Sequence, residues 1–270
     1  MRLVSSREVL SPANPLLKVF RRSLSEGTTK QGWLAIEGPF LVEEALNAAP
    51  SVTIHSALVA AGAAEKFAGL IERLPAEVEL TQIPDRLFEG VAQTQSPQGI
   101  AALVELPAHT LEQVTAARNP LIVVACRLQD PGNLGTMMRT AFAFSASAFL
   151  TLRETVSAFN PKAARSSSGA IFRLPLVCGV DPGEALPYLS TRVRIVAADR
   201  NSPSSLTQAD LRGPLAILVG RESTGLPDEI SRYATQLLSI PIRQEVDSLN
   251  AATAANIFLY ETARQRGFRY

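Results

Sequence analysis

The chain has 270 residues, of which 46% are hydrophobic and 19% charged, and its formal net charge is +1. These proportions are ordinary for a globular protein of one large or two modest domains. No apolar run approaches the roughly 20 residues that span a bilayer, and the first residues lack the apolar segment of a signal peptide, so we expect a cytoplasmic protein without membrane contact.

The first 106 residues predict a small α/β domain. Helical patterns and short apolar runs alternate along them, with strands at 32–36, 52–59, 78–81 and 100–106. The predicted helices cover 12–25, 63–74 and 85–91, and a further one follows residue 40 and bears Leu41, Ala45 and Leu46. Residues 107–119 are polar and flanked by prolines, which is typical of a linker. We therefore expect one domain at 1–106 and a second at 120–270.

The second half carries apolar runs of strand length. They lie at residues 121–125, 148–152, 193–197, 215–219 and 236–240. Most are continuous rather than alternating, and helical segments separate them, which is typical of a parallel sheet covered on both faces. The predicted fold class is therefore α/β with an open sheet. Ligands bind such sheets beyond the carboxyl ends of the strands, so the loops that follow the runs are expected to carry the site.

The loop after the first of these runs contains Asn133 and Arg139. Asn133 is placed to cap a helix with a periodic apolar stripe, and Arg139 falls roughly opposite that stripe. The pattern is typical of a capped helix with a solvated arginine. An arginine near such a loop is also what would hold a phosphate by two parallel hydrogen bonds.

The loop after residues 215–219 has glycines at 220 and 225. It is not a phosphate-binding loop, because Leu226 and Pro227 stand where that motif requires Lys and Ser or Thr. It is not a nucleophile elbow either, because Arg221 occupies the place of the first glycine of that motif.

The chain has only two histidines, and both lie in its first half. A Ser-His-Asp triad or a histidine zinc site in the second half therefore lacks the histidines that it needs. These features disfavour a nucleotide-binding hydrolase, and we expect no metal.

The third loop leads into a C-terminal helix with no charged residue between Ser248 and Tyr260. Apolar side chains point almost all round this helix, so it must be covered on two sides. A sheet could cover one side, and a second domain, a partner subunit or a crossing piece of the chain the other. An ordinary buried helix remains an alternative. Ser248 and Asn250, at its start, form either a cap or a site.

Together, the three loops resemble the signature motifs of the SpoU (TrmH) family of RNA 2′-O-ribose methyltransferases in the SPOUT superfamily. Residues 130–141 are similar to the first motif, 218–226 to the second, and 240–241 with 248–250 to the third. Residues 160–170 resemble the mid-domain segment of that family. In the first half, residues 34–45 and 94–100 resemble a substrate-binding domain similar in fold to ribosomal protein L30e.

The resemblance implies a knotted SPOUT domain with a deep trefoil knot, S-adenosylmethionine (AdoMet) as cofactor and a homodimer. It implies 23S ribosomal RNA as substrate, with transfer RNA methylation or a catalytically inactive RNA-binding assembly factor as alternatives. The implied catalytic cluster is Asn133, Arg139, Glu222, Ser248 and Asn250. The implied cofactor contacts are Leu218, Val219, Gly220, Ile240, Pro241 and Leu249.

The chain departs from the family pattern in three places. Arg221 replaces the asparagine common in the second motif, which puts the contribution of that asparagine side chain in doubt. Ile242 stands where methionine is common after Ile-Pro, and Ala251 and Ala252 follow Asn250 where Val-Ser is common. These replacements are expected to be conservative for cofactor binding or to signal an unusual RNA target.

Overall fold

The structure, a computed structural model, describes residues 11–221 and 225–268. Contacts within the chain divide it into two units. The N-terminal unit comprises the described residues up to Pro107 together with Phe159–Arg165, and the C-terminal unit comprises Ala108–Ala158 and the described residues from Ser166 onward. Within the described ranges, no helix combines the length and apolar character that crossing a membrane requires.

The N-terminal unit is a four-stranded sheet with helices packed against it. Its elements are α1 (Pro15–Glu26), β1 (Leu34–Glu37), α2 (Pro39–Asn47), β2 (Thr53–Ala60), α3 (Ala68–Glu72), β3 (Glu79–Ile83), α4 (Asp85–Glu89) and β4 (Ile100–Glu105). The strand order is β1-β4-β2-β3, with β4 antiparallel to both neighbours and β2 parallel to β3. The predicted α/β character of this half is confirmed.

The predicted helix over residues 63–74 is wrong in its extent. A single 3-10 turn occupies Ala61–Ala63, and α3 covers only Ala68–Glu72. Phe67, which precedes α3, offers no side-chain cap, and Gly69 lowers the helix propensity of the segment. Little in the local sequence therefore supports a longer helix.

The C-terminal unit is built on a six-stranded sheet. The remaining elements of the chain are α5 (Leu111–Thr115), β5 (Leu121–Ala125), α6 (Pro131–Ala143), β6 (Ala148–Leu152), α7 (Pro161–Ser166), β7 (Leu176–Val180), α8 (Pro182–Ser190), β8 (Arg194–Ala198), β9 (Leu215–Val219), α9 (Asp228–Ser231), β10 (Gln236–Leu238) and α10 (Ala251–Gln265). The strand order is β10-β8-β9-β5-β6-β7, and every neighbouring pair is parallel. The predicted parallel sheet is confirmed.

The burial of each strand explains whether its apolar run allowed it to be predicted from the sequence. Every residue of β5, β6 and β9 is buried, and these three strands begin and end where their apolar runs do. Strand β7 was not predicted. It lies at the edge of the sheet, where Cys178 and Gly179 are exposed, and Gly179 interrupts its short apolar run.

Residues 108–119, expected to be a linker, group with the C-terminal unit and contain α5. Thr110 caps this short helix, because its hydroxyl accepts a hydrogen bond from the backbone N–H of Gln113 at 3.4 Å. The side-chain oxygen of Gln113 accepts one from the backbone N–H of Thr110 at 2.9 Å. This reciprocal pair is a capping box, and it fixes where the helix begins.

Helix α10 packs against α6 and β9. Its buried positions are mostly small or apolar, and they are Ala251, Ala252, Ala255, Phe258, Leu259, Thr262 and Ala263. Tyr260 is 51% exposed. The described part of the C-terminal unit thus covers one broad face of α10 and leaves Tyr260 outside it.

Arg266, just after α10, ties the end of that helix to two loops. Its guanidinium donates to the backbone carbonyls of Asn119 at 3.1 Å and Pro120 at 3.5 Å, and to that of Gly213. Burial lowers the pKa of this group from its ordinary value. The carbonyls that surround it replace part of the water that it loses.

Replacing Arg266 with alanine should lower the free energy of unfolding by about 2 kcal/mol, because several carbonyls lose a charged donor. Arg264→Ala is the matched control. Arg264 is exposed and pairs with Glu261 of the same helix, so its removal should leave the free energy of unfolding nearly unchanged. Urea denaturation of both variants measures the difference, and equal stabilities would contradict the role of Arg266.

Candidate active site

A cavity of about 500 Å³ opens at the carboxyl ends of β8, β9 and β10. Its volume lies within the roughly 300–1,000 Å³ typical of small-molecule sites. Three loops and the start of α10 form its wall. The lining residues are Ala198, Asp199, Arg200, Asn201, Val219, Gly220, Arg221, Gly225, Leu226, Asp228, Ser231, Leu237, Leu238, Ile240, Ile242, Ser248, Leu249, Ala251, Ala254 and Phe258.

Gly220 begins the tight loop that follows β9. The backbone N–H of Gly225 donates to the carbonyl of Arg221 at 2.9 Å, which brings the two ends of the loop together. A Cβ atom added to Gly220 would lie 2.4 Å from the carbonyl oxygen of Gly225. Only glycine therefore fits at position 220. Glu222, a predicted catalytic residue in this loop, lies outside the described residues.

The loop between β10 and α10 forms another part of the wall. Its residues 241–248 are exposed, and both Ser248 and Leu249 line the cavity. Arg200, from the loop after β8, donates to the backbone carbonyl of Asp247 and lies 3.7 Å from its carboxylate. This contact links two of the loops that surround the cavity.

Asn250 joins the start of α10 to the start of α6. Its side-chain oxygen caps α10 by accepting from the backbone N–H groups of Ala252 at 2.9 Å and Thr253 at 3.2 Å. Its side-chain amide donates to the side-chain oxygen of Asn133 at 3.0 Å. The two residues are 117 positions apart, so this bond depends on the fold.

The expectation that Asn133 caps α6 is wrong. Asp130 is the capping residue, and its carboxylate accepts from the backbone N–H of Asn133 at 2.8 Å. Proline at position 131 favours this start, because its ring fixes φ for the first residue of a helix. Asn133 thus lies inside the helix, where its side chain meets Asn250.

Arg139 lies on the exposed face of α6, away from the buried Leu134, Met137 and Met138. This is the orientation that the apolar stripe predicts. Arg139 follows Asn133 by six residues, or about 9 Å along the helix axis. It does not line the cavity, so its guanidinium is available to a group outside the cavity.

The residues implied as cofactor contacts divide into two groups. Val219, Gly220, Ile240 and Leu249 line the cavity, whereas Leu218 is buried within β9 and Pro241 is exposed beside the cavity wall. Sequence reasoning missed residues 199–201, which also line the cavity. They follow β8, and the rule that sites lie at the carboxyl ends of strands would have pointed to them.

Cys126 lies directly after β5 and is fully buried. Burial raises the pKa of its thiol to about 11, so the thiol stays protonated at neutral pH. It is not an activated nucleophile. Among the described residues, no group of three His, Cys, Asp or Glu side chains could hold a metal ion.

The cavity wall fits an adenosyl compound with an amino-acid group. Apolar residues such as Leu238, Ile240 and Leu249 can enclose a flat base, while Asp199, Arg200 and Asp228 supply charge for a zwitterionic group. Gly220 brings the backbone of the loop after β9 to the cavity. Fold and site together define a cofactor-binding α/β protein with a parallel sheet.

Comparison with known proteins identifies the family. Residues 120–260 match the model of the SpoU rRNA Methylase family, and residues 27–102 match the MRM3-like substrate binding domain. The chain belongs to the SpoU rRNA Methylase family. The resemblance predicted from the three loops is confirmed.

Two curated relatives and one solved structure illustrate the similarity. A 23S rRNA (uridine(2479)-2′-O)-methyltransferase of Streptomyces viridochromogenes is 31% identical over 74% of this chain and 72% of its own. A 23S rRNA (guanosine(2553)-2′-O)-methyltransferase of Bacillus subtilis is 29% identical over 94% of this chain and 98% of its own. The crystal structure of the SpoU methyltransferase AviRb from S. viridochromogenes with AdoMet has 26% identity and a TM-score of 0.84, covering 94% of this chain and 98% of its own.

Proposed function

We propose that this protein transfers the methyl group of AdoMet to a ribose 2′-hydroxyl of 23S ribosomal RNA. The observation that carries the proposal is the hydrogen bond between Asn133 and Asn250 at 3.0 Å, beside a cavity lined by Gly220, Ile240 and Leu249. Three loops far apart in the sequence thus lie together at one edge of the sheet. The names of the relatives and the AdoMet complex of AviRb support the same activity.

AdoMet, when bound, supplies a methyl group that is already activated by the sulfonium. In the proposed site, Gly220, Ile240 and Leu249 would hold the cofactor largely through backbone atoms, with Val219 nearby. The buried Gly220 allows the loop backbone to approach a ligand closely. The apolar residues of the wall, among them Leu238 and Ile240, would cover part of the cofactor.

The catalytic cluster must increase the reactivity of a ribose hydroxyl, which is a poor nucleophile until its proton leaves. We assign Arg139 the role of binding a substrate phosphate and stabilising charge as the proton leaves, because a guanidinium presents several charged donors to phosphate oxygens. Asn133 and Glu222 orient Arg139 in this scheme. Ser248 and Asn250 position the ribose and the cofactor.

The choice of ribosomal RNA rests on the N-terminal domain and on the relatives. The domain matches a substrate-binding model, and both curated relatives quoted above modify 23S rRNA. Their target nucleotides differ, so the similarity alone does not define the target of this chain. A ribosomal RNA substrate also favours a cytoplasmic location.

A direct comparison of substrates tests this proposal. The full chain would be incubated with tritiated AdoMet and unmodified ribosomal RNA or transfer RNA. We expect label in 23S rRNA alone. Label in transfer RNA alone would replace the proposed substrate with the alternative one. A chain that binds AdoMet but labels neither RNA would favour an inactive assembly factor.

We also propose that the protein is a homodimer and that the segment around α10 forms a trefoil knot, a rare exception to unknotted connectivity. An exposed aromatic surface supports the dimer. Phe142 is 43% exposed, Tyr260 51% and Phe268 38%. The rings of Phe144 and Tyr260 lie 6.0 Å apart, and those of Tyr260 and Phe268 5.8 Å apart. A partner that covers this surface would bury the second face of α10.

Tyr260→Lys should convert the dimer to a monomer, because it places a charge in the centre of this aromatic surface. Light scattering of the full chain at micromolar concentration measures the mass. Phe40→Lys is the control, since Phe40 is an exposed aromatic residue of the N-terminal unit with 53% exposure. A monomeric wild type, or a Tyr260→Lys variant that stays dimeric, would contradict this interface.

A further inference from the structure

Arg221 is held at the cavity wall by a contact with the loop after β5. Its Nε donates to the backbone carbonyl of Arg127 at 2.7 Å. Arg127 has a φ of 54°, in the left-handed region, and Gln129 donates to the same carbonyl at 3.2 Å. The carbonyl therefore fixes one edge of the Arg221 guanidinium and leaves its two terminal nitrogens for other partners.

The neighbouring cations are already paired with carboxylates. The guanidinium of Arg127 lies 2.9 Å from Glu154 and 3.4 Å from Glu229. Arg200, the other arginine of the cavity wall, contacts Asp247. Within residues 11–221 and 225–268, no carboxylate lies within ion-pair distance of Arg221, although Asp228 also lines the cavity. Arg221 thus gives the wall a positive charge without a bonded counter-ion among those residues.

We propose that Arg221 binds the α-carboxylate of the methionyl group of AdoMet, an inference that rests on the proposed function. Two terminal guanidinium nitrogens match the two oxygens of one carboxylate, and both hydrogen bonds are charge-assisted. Arg221 directly follows Gly220, which lines the same cavity. The asparagine common at this position of the family carries no charge. This chain would therefore hold the amino-acid end of its cofactor with an ion pair.

Two ligands that differ in the carboxylate test this assignment by calorimetry. S-adenosylhomocysteine keeps the amino-acid group, whereas 5′-methylthioadenosine lacks it. In Arg221→Asn, we expect affinity for S-adenosylhomocysteine to fall about tenfold to a hundredfold and affinity for 5′-methylthioadenosine to change by less than about twofold. Arg221→Lys should lose less affinity than Arg221→Asn, since it keeps the charge.

Arg232→Asn is the charge-matched control, because Arg232 lies outside the cavity and stacks on Tyr233 at 5.1 Å. It should bind both ligands as wild type does. Equal losses for both ligands in Arg221→Asn would overturn the assignment and show that Arg221 acts only by placing the loop. Unchanged ligand affinities with weaker RNA binding would overturn it in favour of a phosphate contact. A wild type that binds neither ligand would overturn the proposed function itself.

Discussion

Arg139→Ala should lower the rate of methyl transfer by about 100-fold or more. The substitution removes the positive charge that stabilises the ribose 2′-oxygen as this oxygen loses its proton. Its affinity for S-adenosylhomocysteine should not change, since Arg139 lies on the exposed face of α6 and does not line the cavity. Single-turnover methylation with saturating cofactor measures the rate, and calorimetry measures the affinity. The two readouts separate catalysis from cofactor binding.

Arg153→Ala is the matched control for this experiment. Arg153 is an exposed arginine of the C-terminal unit that pairs with Asp181 at 2.7 Å. It should methylate RNA at the wild-type rate. If Arg139→Ala also kept that rate, Arg139 would have no place in the mechanism. The assignment of a phosphate contact to Arg139 would then be wrong.

The second large effect is expected at Asn250, whose side chain has two separable tasks. The side chain caps α10 and bonds to Asn133. Serine can cap the helix but is too short to reach Asn133, and alanine can do neither of these. Both Asn250→Ser and Asn250→Ala should lower kcat/KM about tenfold to a hundredfold, because the starts of α6 and α10 lose their link. Only Asn250→Ala should also lower the free energy of unfolding, by about 1 kcal/mol.

Paired measurements of methylation kinetics and urea denaturation test this separation. Asn133→Ala offers a further comparison, since it removes the acceptor of the same bond without touching the α10 cap. It should resemble Asn250→Ser in both readouts. Wild-type kinetics in Asn250→Ser would mean that the cap is the whole function of Asn250.

Much of the C-terminal sheet could be predicted because its central strands are buried along their whole length. Such strands need apolar residues at every position, so β5, β6 and β9 appear in the sequence with their correct ends. The edge strand β7 is harder to find in this way, since Gly179 breaks its short apolar run and the strand is not buried along its length. The correct ends of β5 and β9 also located two of the three loops that carry the predicted site residues.

The details of the site depend on contacts that local patterns do not encode. Asn133 is a good capping residue by type, but so is Asp130, and Pro131 makes Asp130 the better cap. The contact of Arg221 with the carbonyl of Arg127 spans 94 residues, and that of Arg200 with Asp247 spans 47. Such contacts follow from the strand order, which periodicity does not determine.

The chemical identity of the methylated nucleoside tests the central claim most directly. Ribosomal RNA labelled by the full chain with tritiated AdoMet would be digested to nucleosides and separated by chromatography with mass detection. The proposed function predicts that the label elutes with one 2′-O-methylnucleoside and falls about 100-fold or more, at equal reaction time, with Arg139→Ala protein. Label in a base-methylated nucleoside would contradict ribose methylation by this site.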